Sequence, residues 1–321
     1  MRTSTAVASG IIAMALTGSS VAVIGATGTL PSFSVQAARY AIAAGVVAAA
    51  LAWRARRTGI RLPRPAPLDV AWAVAGAAVG LVGFNLVMLV GVRHAEPAVL
   101  GSAVACIPLV LAIAGPLGAG RAPSARLVVG GLVVSAGAVL VTGWGRADAI
   151  GVLCAVGLVL CEAAFTLCAA RGAARLGPVG YTVWTCVVAA AAFGALAVAV
   201  ERPDPAAMLR SVVPVLYLGL AVTAAAFVLW FSAVARLGAD RAGLSAGVAA
   251  PASVLTAVLL GAPAPAPLVW AGMALVAVGL VIGFRRAAAP SRRPDGRRPD
   301  GRRPDGRRLD EAVAPDPAGV T

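Results

Sequence analysis

Long apolar runs separated by short polar, glycine- or proline-bearing connections occupy residues 6–284. A helix needs about 20 mostly apolar residues to cross the hydrocarbon core of a bilayer. Ten runs meet that requirement. They are expected at 6–27, 33–52, 70–92, 97–117 and 125–142, then at 150–170, 179–199, 211–234, 243–261 and 266–284. The connections are short enough to pack neighbouring helices antiparallel. Arg2 precedes the first run as it would in a signal peptide. The run is long for such a segment, however, and ends in Gly-Thr-Leu-Pro without a clear small-x-small cleavage site, so it is read as an uncleaved helix.

Composition sharpens this picture. About 60% of the 321 residues are hydrophobic and 12% are charged, against about 25% charged in a soluble domain. The mean hydropathy is +0.90. The net charge of +14 comes from 27 basic residues, all arginine. They punctuate the apolar runs in small groups and form no face for nucleic acid, so that class is set aside.

The arginines instead set an orientation. With the N-terminus inside, the inner connections hold Arg2, Arg54, Arg56, Arg57, Arg61, Arg64, Arg121, Arg126, Arg171, Arg175, Arg236 and Arg241. The outer connections hold Arg93, Arg146, Arg202 and Arg210. Positive residues favour the cytoplasmic side, so a multi-pass protein of the cell membrane with both termini cytoplasmic is expected. Residues 286–321 form a third segment, in which Arg292-Arg293-Pro294-Asp295-Gly296 recurs at 297–301 and 302–306. Such turn-rich polar sequence builds no core, so a disordered cytoplasmic tail is expected.

The chain also resembles itself. With Pro108 set against Pro251, Ser102 and Ala103 fall on Ser245 and Ala246, and Leu117-Gly118-Ala119 falls on Leu260-Gly261-Ala262. One residue of slippage later, Gly130 meets Gly272 and Gly137 meets Gly279. The expected fold is therefore all-α and integral to the membrane, with ten transmembrane helices as two inverted five-helix repeats, residues 1–145 and 146–285. Five is odd, so the halves enter the membrane oppositely. Inverted repeats recur in secondary transporters, with the substrate site near the midplane between halves. Pro108 and Pro251 are expected to bend helices 4 and 9 at matching places.

At the level of motifs, Leu216-Tyr217-Leu218-Gly219-Leu220 is followed by the stretch from Leu229 to Ala239, then by Pro251, Leu260-Gly261, Gly272 and Gly279. Pro31, Arg39, Ala44 and Pro108 occupy the first half. Together, over roughly residues 10–284, these residues resemble the EamA-like transporters of the drug/metabolite transporter superfamily. That resemblance implies a ten-helix carrier, often an exporter of amino acids, metabolites or drugs. One departure stands out. The family usually carries a Gly-Glu pair near the ends of helices 4 and 9, whereas here the places read Gly120-Arg121 and Gly261-Ala262. Any role of those carboxylates is therefore missing here.

Ionisable groups within a bilayer cost about 2.5–3.5 kcal/mol on insertion scales. Glu162 and Arg39 are the two candidates. Glu162, the only acid inside the expected spans, is either a proton or cation site on a central cavity or a structural hydrogen-bonding group. A bond to Arg39 is one possible arrangement. Arg39 either meets an anion or snorkels toward a helix end. Asn85, Ser102, Thr166, Trp184, Tyr217, Trp230 and Thr256 are polar or aromatic candidates for orienting a ligand, and each also fits packing or an interfacial belt. Gly76–Gly80 and Gly243–Gly247 have spacings that allow close helix approach. Cys154, Cys161 and Cys168 recur every seven residues, so they share a helix face and read as small packing residues, as do Cys106 and Cys186.

The sole histidine, His94, sits in an outer turn with Arg93 and Glu96. No Walker motif, HExxH or acidic pair within a helix occurs. No enzyme, cofactor or metal is expected. The expected partners are a small-molecule substrate, the lipid bilayer and protons as coupling ion. A channel or scaffold without active coupling is the alternative, although no charge ring or carbonyl filter motif marks a channel.

Overall fold

The computed structural model describes residues 3–27, 32–59, 65–201, 206, 209 and 211–285. The C-terminal tail and Arg2, Pro31, Arg61, Arg64, Arg202 and Arg210 lie outside the described residues. Among the described residues every regular element is a helix, apart from one isolated bridge between Ala95 and Ala147. Nine of the described stretches are long and apolar enough to cross a membrane. One of them, Ala149–Val200, has 52 residues, far more than a core of about 30 Å needs. It is broken at Gly177, whose φ of 71° and ψ of 162° are not helical.

Among the described residues ten helices result: α1 (Thr3–Thr27), α2 (Phe33–Thr58), α3 (Pro67–Gly91), α4 (Pro97–Gly118), α5 (Ala125–Thr142), α6 (149–176), α7 (178–200), α8 (Val212–Leu237), α9 (Ala239–Leu259) and α10 (Pro267–Phe284). The break between α6 and α7 and that between α8 and α9 share one sequence, Ala174-Arg175-Leu176-Gly177 and Ala235-Arg236-Leu237-Gly238. Gly238 has φ 86° and ψ 160°. In both places glycine supplies a positive φ that a side chain would resist. Each turn is thus made almost without connecting residues.

Several helices begin earlier than the apolar runs. α3 starts at Pro67 and α9 at Ala239, which brings Asp69 and Asp240 into their first turns, both buried. Glu162 is therefore not the only acid within the spans. An acid at a helix start faces the positive end of the helix dipole and the unbonded N–H groups, which is why the helices extend through these residues. The Asp69 carboxylate accepts from the Ala66 N–H at 3.1 Å.

Two helices contain π-helical turns, at Gly76–Gly83 in α3 and Leu218–Ala225 in α8. Such turns are rare and concentrate at functional sites. The two stretches are of equal length and lie 142 residues apart, the same offset that relates Gly130 to Gly272. α4 and α9 are interrupted as well. α4 breaks at Cys106, and α9 carries a 3₁₀ turn at Ser245–Val248. Proline explains both, because its ring displaces the carbonyl four residues earlier. Pro108 acts on Val104, and Pro251 acts on Gly247. The two interruptions meet, since a Cβ on Gly247 would lie 3.6 Å from Pro108 Cγ.

α5 and α10 pack backbone to backbone. A Cβ on Gly137 would lie 2.7 Å from the Gly272 carbonyl oxygen, and one on Gly272 would lie 2.8 Å from that of Gly137. Gly130 and Gly279 are related in the same way, at 3.2 and 3.0 Å. α3 and α6 interleave small residues instead. Gly76, Gly83 and Gly91 face Cys168, Cys161 and Cys154 in turn.

Candidate functional site

The main buried cluster draws on α1, α2, α3, α6, α7, α8 and α9, with a chain of rings at its centre. Tyr40 of α2 stacks on Phe193 of α7 at 5.7 Å. Phe165 of α6 touches Phe227 and Phe231 of α8 at 5.7 and 5.5 Å, and Tyr181 meets Phe231 edge-on at 4.9 Å. These contacts fix α2, α6, α7 and α8 relative to one another.

A line of polar groups runs beside the rings. The Arg39 guanidinium donates through Nε to Thr223 Oγ1 at 3.0 Å and through Nη1 to Gln36 Oε1 at 3.2 Å. It also lies 4.9 Å over the Tyr40 ring. Gln36 donates to Asn85 Oδ1 at 2.5 Å, and Asn85 donates to the Leu81 carbonyl at 2.7 Å. Thr223 donates to the Leu218 carbonyl, five residues back, at 2.8 Å. That bond spans the π turn of α8, while Leu81 belongs to the π turn of α3. The network therefore ties Arg39 to both irregular turns, across α2, α3 and α8. Among the described residues no carboxylate lies within ion-pair distance of Arg39.

Glu162 is half-buried. It is not bonded to Arg39 and has no hydrogen bond or ion pair to any described residue. It lies within electrostatic reach of Tyr40. One turn on, Thr166 is fully buried, and its hydroxyl is unpartnered among the described residues, as are the Ser245 hydroxyl and the Trp230 indole N–H. Unpaired buried donors are costly.

The remaining candidates lie elsewhere. Ser102 bonds Thr142 Oγ1 at 2.9 Å and donates to the Gly143 carbonyl at 2.7 Å, tying α4 to the end of α5. Tyr217 and Ser19 join α8 to α1 through their hydroxyls at 2.5 Å. Trp184 packs half-buried against the main cluster, and Thr256 is half-buried in α9.

Gln36, Thr223 and Glu201 were not among the sequence candidates. Glu201 follows α7 and caps α2. It accepts from the N–H groups of Phe33 and Ser34 at 2.5 and 3.0 Å and from the Ser34 hydroxyl at 2.8 Å. Partial burial raises its pKa, but these bonds outweigh that and hold it below the usual carboxylate range.

The end of the bundle that holds Glu201 also holds the turns 92–96 and 143–148. They are joined by His94 Nδ1 to Asp148 Oδ2 at 2.8 Å and by Arg146 to Glu96 at 3.6 Å. A backbone bond from Gly151 and the His94 contact lower the pKa of Asp148. At the opposite end Arg175 pairs with buried Asp69 at 3.6 Å, and Arg171 donates to the Gly118 carbonyl at 2.8 Å.

Residues 149–285 match the EamA-like transporter family. Over those residues the chain is similar to that family, which is part of the drug/metabolite transporter superfamily. The EamA-like stretch holds α6 to α10, including Glu162, Thr223 and the second π turn. Members of the family are transporters rather than enzymes. No curated protein matches the chain. A solved crystal structure, described simply as that of a protein, covers 87% of this chain and 97% of its own, with a TM-score of 0.72 at 23% identity. That likeness extends the shared fold well beyond the EamA-like stretch.

Proposed function

We propose that the chain is a secondary transporter that exports small metabolites, amino acids or drugs across the cell membrane by alternating access. It crosses the membrane ten times, with α6 and α7 as separate crossings and both termini cytoplasmic. The first repeat spans residues 1–145 and the second 146–285. Support for the repeat comes from the reciprocal glycine contacts of α5 and α10 and from the paired π turns, which lie 142 residues apart, with the proline breaks close to that offset. Under that pairing Gly130 corresponds to Gly272 and Gly137 to Gly279. Contacts of Gly130 with Gly279 and of Gly137 with Gly272 are those of an isologous two-fold interface.

The observation that carries the transport reading is the line Asn85–Gln36–Arg39–Thr223. It sets among apolar helices a guanidinium that has no counter-ion among the described residues, and it links the first repeat to the second. A polar group in such a place is costly unless it serves a path or a ligand. Arg39 holds the substrate, Glu162 takes the coupling proton, and Trp230 and Thr166 offer unpaired donors to the substrate. The π turns of α3 and α8 are the places where the halves flex. The test is flux into proteoliposomes from a pool of radiolabelled metabolites, with and without an imposed pH gradient. Saturable flux that follows the gradient and is lost with a protonophore supports the reading. Flux indifferent to the gradient removes the proton from it.

A further inference from the structure

α2 gathers its charge at one end and on one side. Its 26 residues, Phe33–Thr58, span about 39 Å at about 1.5 Å per residue, longer than a hydrocarbon core of about 30 Å. With Phe33 at one edge of the core, the last turn and a half, from Trp53 on, projects into the headgroup layer. At about 100° per residue, Trp53, Arg54, Arg56 and Arg57 fall within one arc of about 160°. All four are exposed, Trp53 by 60%. Leu51, Ala52 and Ala55, on the other side, are half-buried. The cluster therefore faces away from the bundle. The Arg57 guanidinium lies 4.7 Å over the Trp53 ring, one turn back, so indole and guanidinium form one platform, part apolar and part cationic.

The arginines of this platform have no acid to answer them. Among the described residues no carboxylate pairs with Arg54, Arg56 or Arg57. At the same end of the bundle, by contrast, Arg175 pairs with Asp69, and Arg171 is held by the Gly118 carbonyl and the Trp72 ring. Asp69 is the first acid in the chain, and Arg61 and Arg64 come before it. Residues 286–321 hold more arginines than acids, so they add to the positive charge. The negative end of the helix dipole supplies only about half an elementary charge, against three guanidinium groups. The missing charge is thus wanted at the depth where lipid phosphates lie. Toward the middle of the bilayer the same side of α2 continues through Ala50, Ala49, Val46 and Gly45, all exposed. These small side chains leave a shallow strip along which an acyl chain can lie.

We propose that this end of α2 is a binding site for an anionic phospholipid. Arg54, Arg56 and Arg57 receive the phosphate, Trp53 lies against the ester region, and an acyl chain follows the strip. Guanidinium is the side chain best matched to phosphate oxygens, and basic clusters just beyond a spanning helix attract anionic headgroups. A zwitterionic lipid brings its own cation, which three arginines repel. A soluble phosphate gains nothing from the indole or the strip. α2 also carries Gln36 and Arg39, so the lipid steadies the helix on which the polar line is built.

The test is lipid titration of the full chain in detergent, read by thermal unfolding and by native mass spectrometry of the retained lipid. The probes are dioleoylphosphatidylglycerol, dioleoylphosphatidylcholine, which has the same chains and no net charge, and glycerol 3-phosphate, which has the phosphate and no chains. The phosphatidylglycerol should raise the unfolding temperature saturably and stay bound, and the other two should do neither. Arg54→Gln, Arg56→Gln and Arg57→Gln together should raise its half-saturating concentration by about tenfold or more, the scale of several basic groups at a charged membrane surface. Trp53→Leu keeps every charge and should raise it by about two- to fivefold, and this variant decides the matter if the triple variant does not fold. Arg121→Gln, Arg236→Gln and Arg285→Gln together remove the same charge from exposed positions elsewhere and should leave it unchanged. An equal response to phosphatidylcholine or to glycerol 3-phosphate would overturn the proposal. So would an equal loss in the second triple variant, since the lipid would then be drawn by diffuse charge and not by a site on α2.

Discussion

Gly137 of α5 and Gly272 of α10 each lie against the other's carbonyl oxygen, so that a Cβ on either would stand 2.7 or 2.8 Å from it. The relation is thus mutual. Gly137→Ala and Gly272→Ala should therefore destabilise the protein by similar amounts, about 1–3 kcal/mol each, the usual cost of overfilling a tight contact. Gly45 of α2 stands in open space, with nothing within 4 Å of the position a Cβ would take. Gly45→Ala should be neutral or stabilising by up to about 1 kcal/mol. Thermal unfolding in detergent checks all three. Unequal losses at Gly137 and Gly272 would count against the two-fold relation.

The Glu201 cap predicts a pH dependence with a definite sign. Its pKa is lowered in the folded protein by the bonds from Phe33 and Ser34. The stabilisation is thus fully present above the ordinary carboxylate range and fades as pH falls through the lowered value. Glu201→Gln should lower stability at neutral pH by about 1 kcal/mol, as for loss of a helix cap. The gap to the wild type should close on the acid side of about pH 4, the ordinary range of a glutamate. A gap that widened on acidification would rule the cap out.

Thr223 has two duties, as acceptor for Arg39 and as donor across the π turn. Thr223→Val keeps the shape and loses both, whereas Thr223→Ser keeps both. A double-mutant cycle of Thr223→Val with Arg39→Gln should show coupling on the order of 0.5–3 kcal/mol in stability. Additive effects would mean that the two side chains act independently.

Most of the architecture is legible in the sequence because the bilayer leaves few choices. Apolar runs locate the helices, and the matches around Pro108 and Pro251 point to the breaks in α4 and α9. The equivalences of Gly130 with Gly272 and Gly137 with Gly279 are visible too, though not the crossed contacts, since sequence similarity says which residues correspond and not which touch. The π turns are hidden. They depend on hydrogen-bond register, and Gly76–Gly83 reads like any apolar stretch. Thr223 reads as one hydroxyl in an apolar run, and Gln36 as a polar residue near a helix start. Glu201 reads as part of a connection, although an acid just after one span can cap the start of another. Asp69 and Asp240 fall outside the apolar runs because hydropathy ignores the capping that draws them into their helices.

Orientation rests on arginine placement and is checked by reporter fusions. Fusions in the connections after Gly59 and Trp144, and in the tail after Pro290, should report inside, outside and inside. An outside signal after Pro290 would mean that α6 and α7 are not two crossings or that another helix was miscounted.

Alternating access between the two halves is tested most directly by spin-label distances measured across them at both ends. One pair takes labels at Arg93 and Val213, and the other at Thr58 and Arg236, all on the exposed surface. Measured in lipid nanodiscs under acidic and basic conditions, with and without a substrate found by flux, the two distances should move in opposite senses, one shortening as the other lengthens. Distances that rise and fall together, or that stay fixed under every condition, would contradict alternating access and leave a channel or a static scaffold.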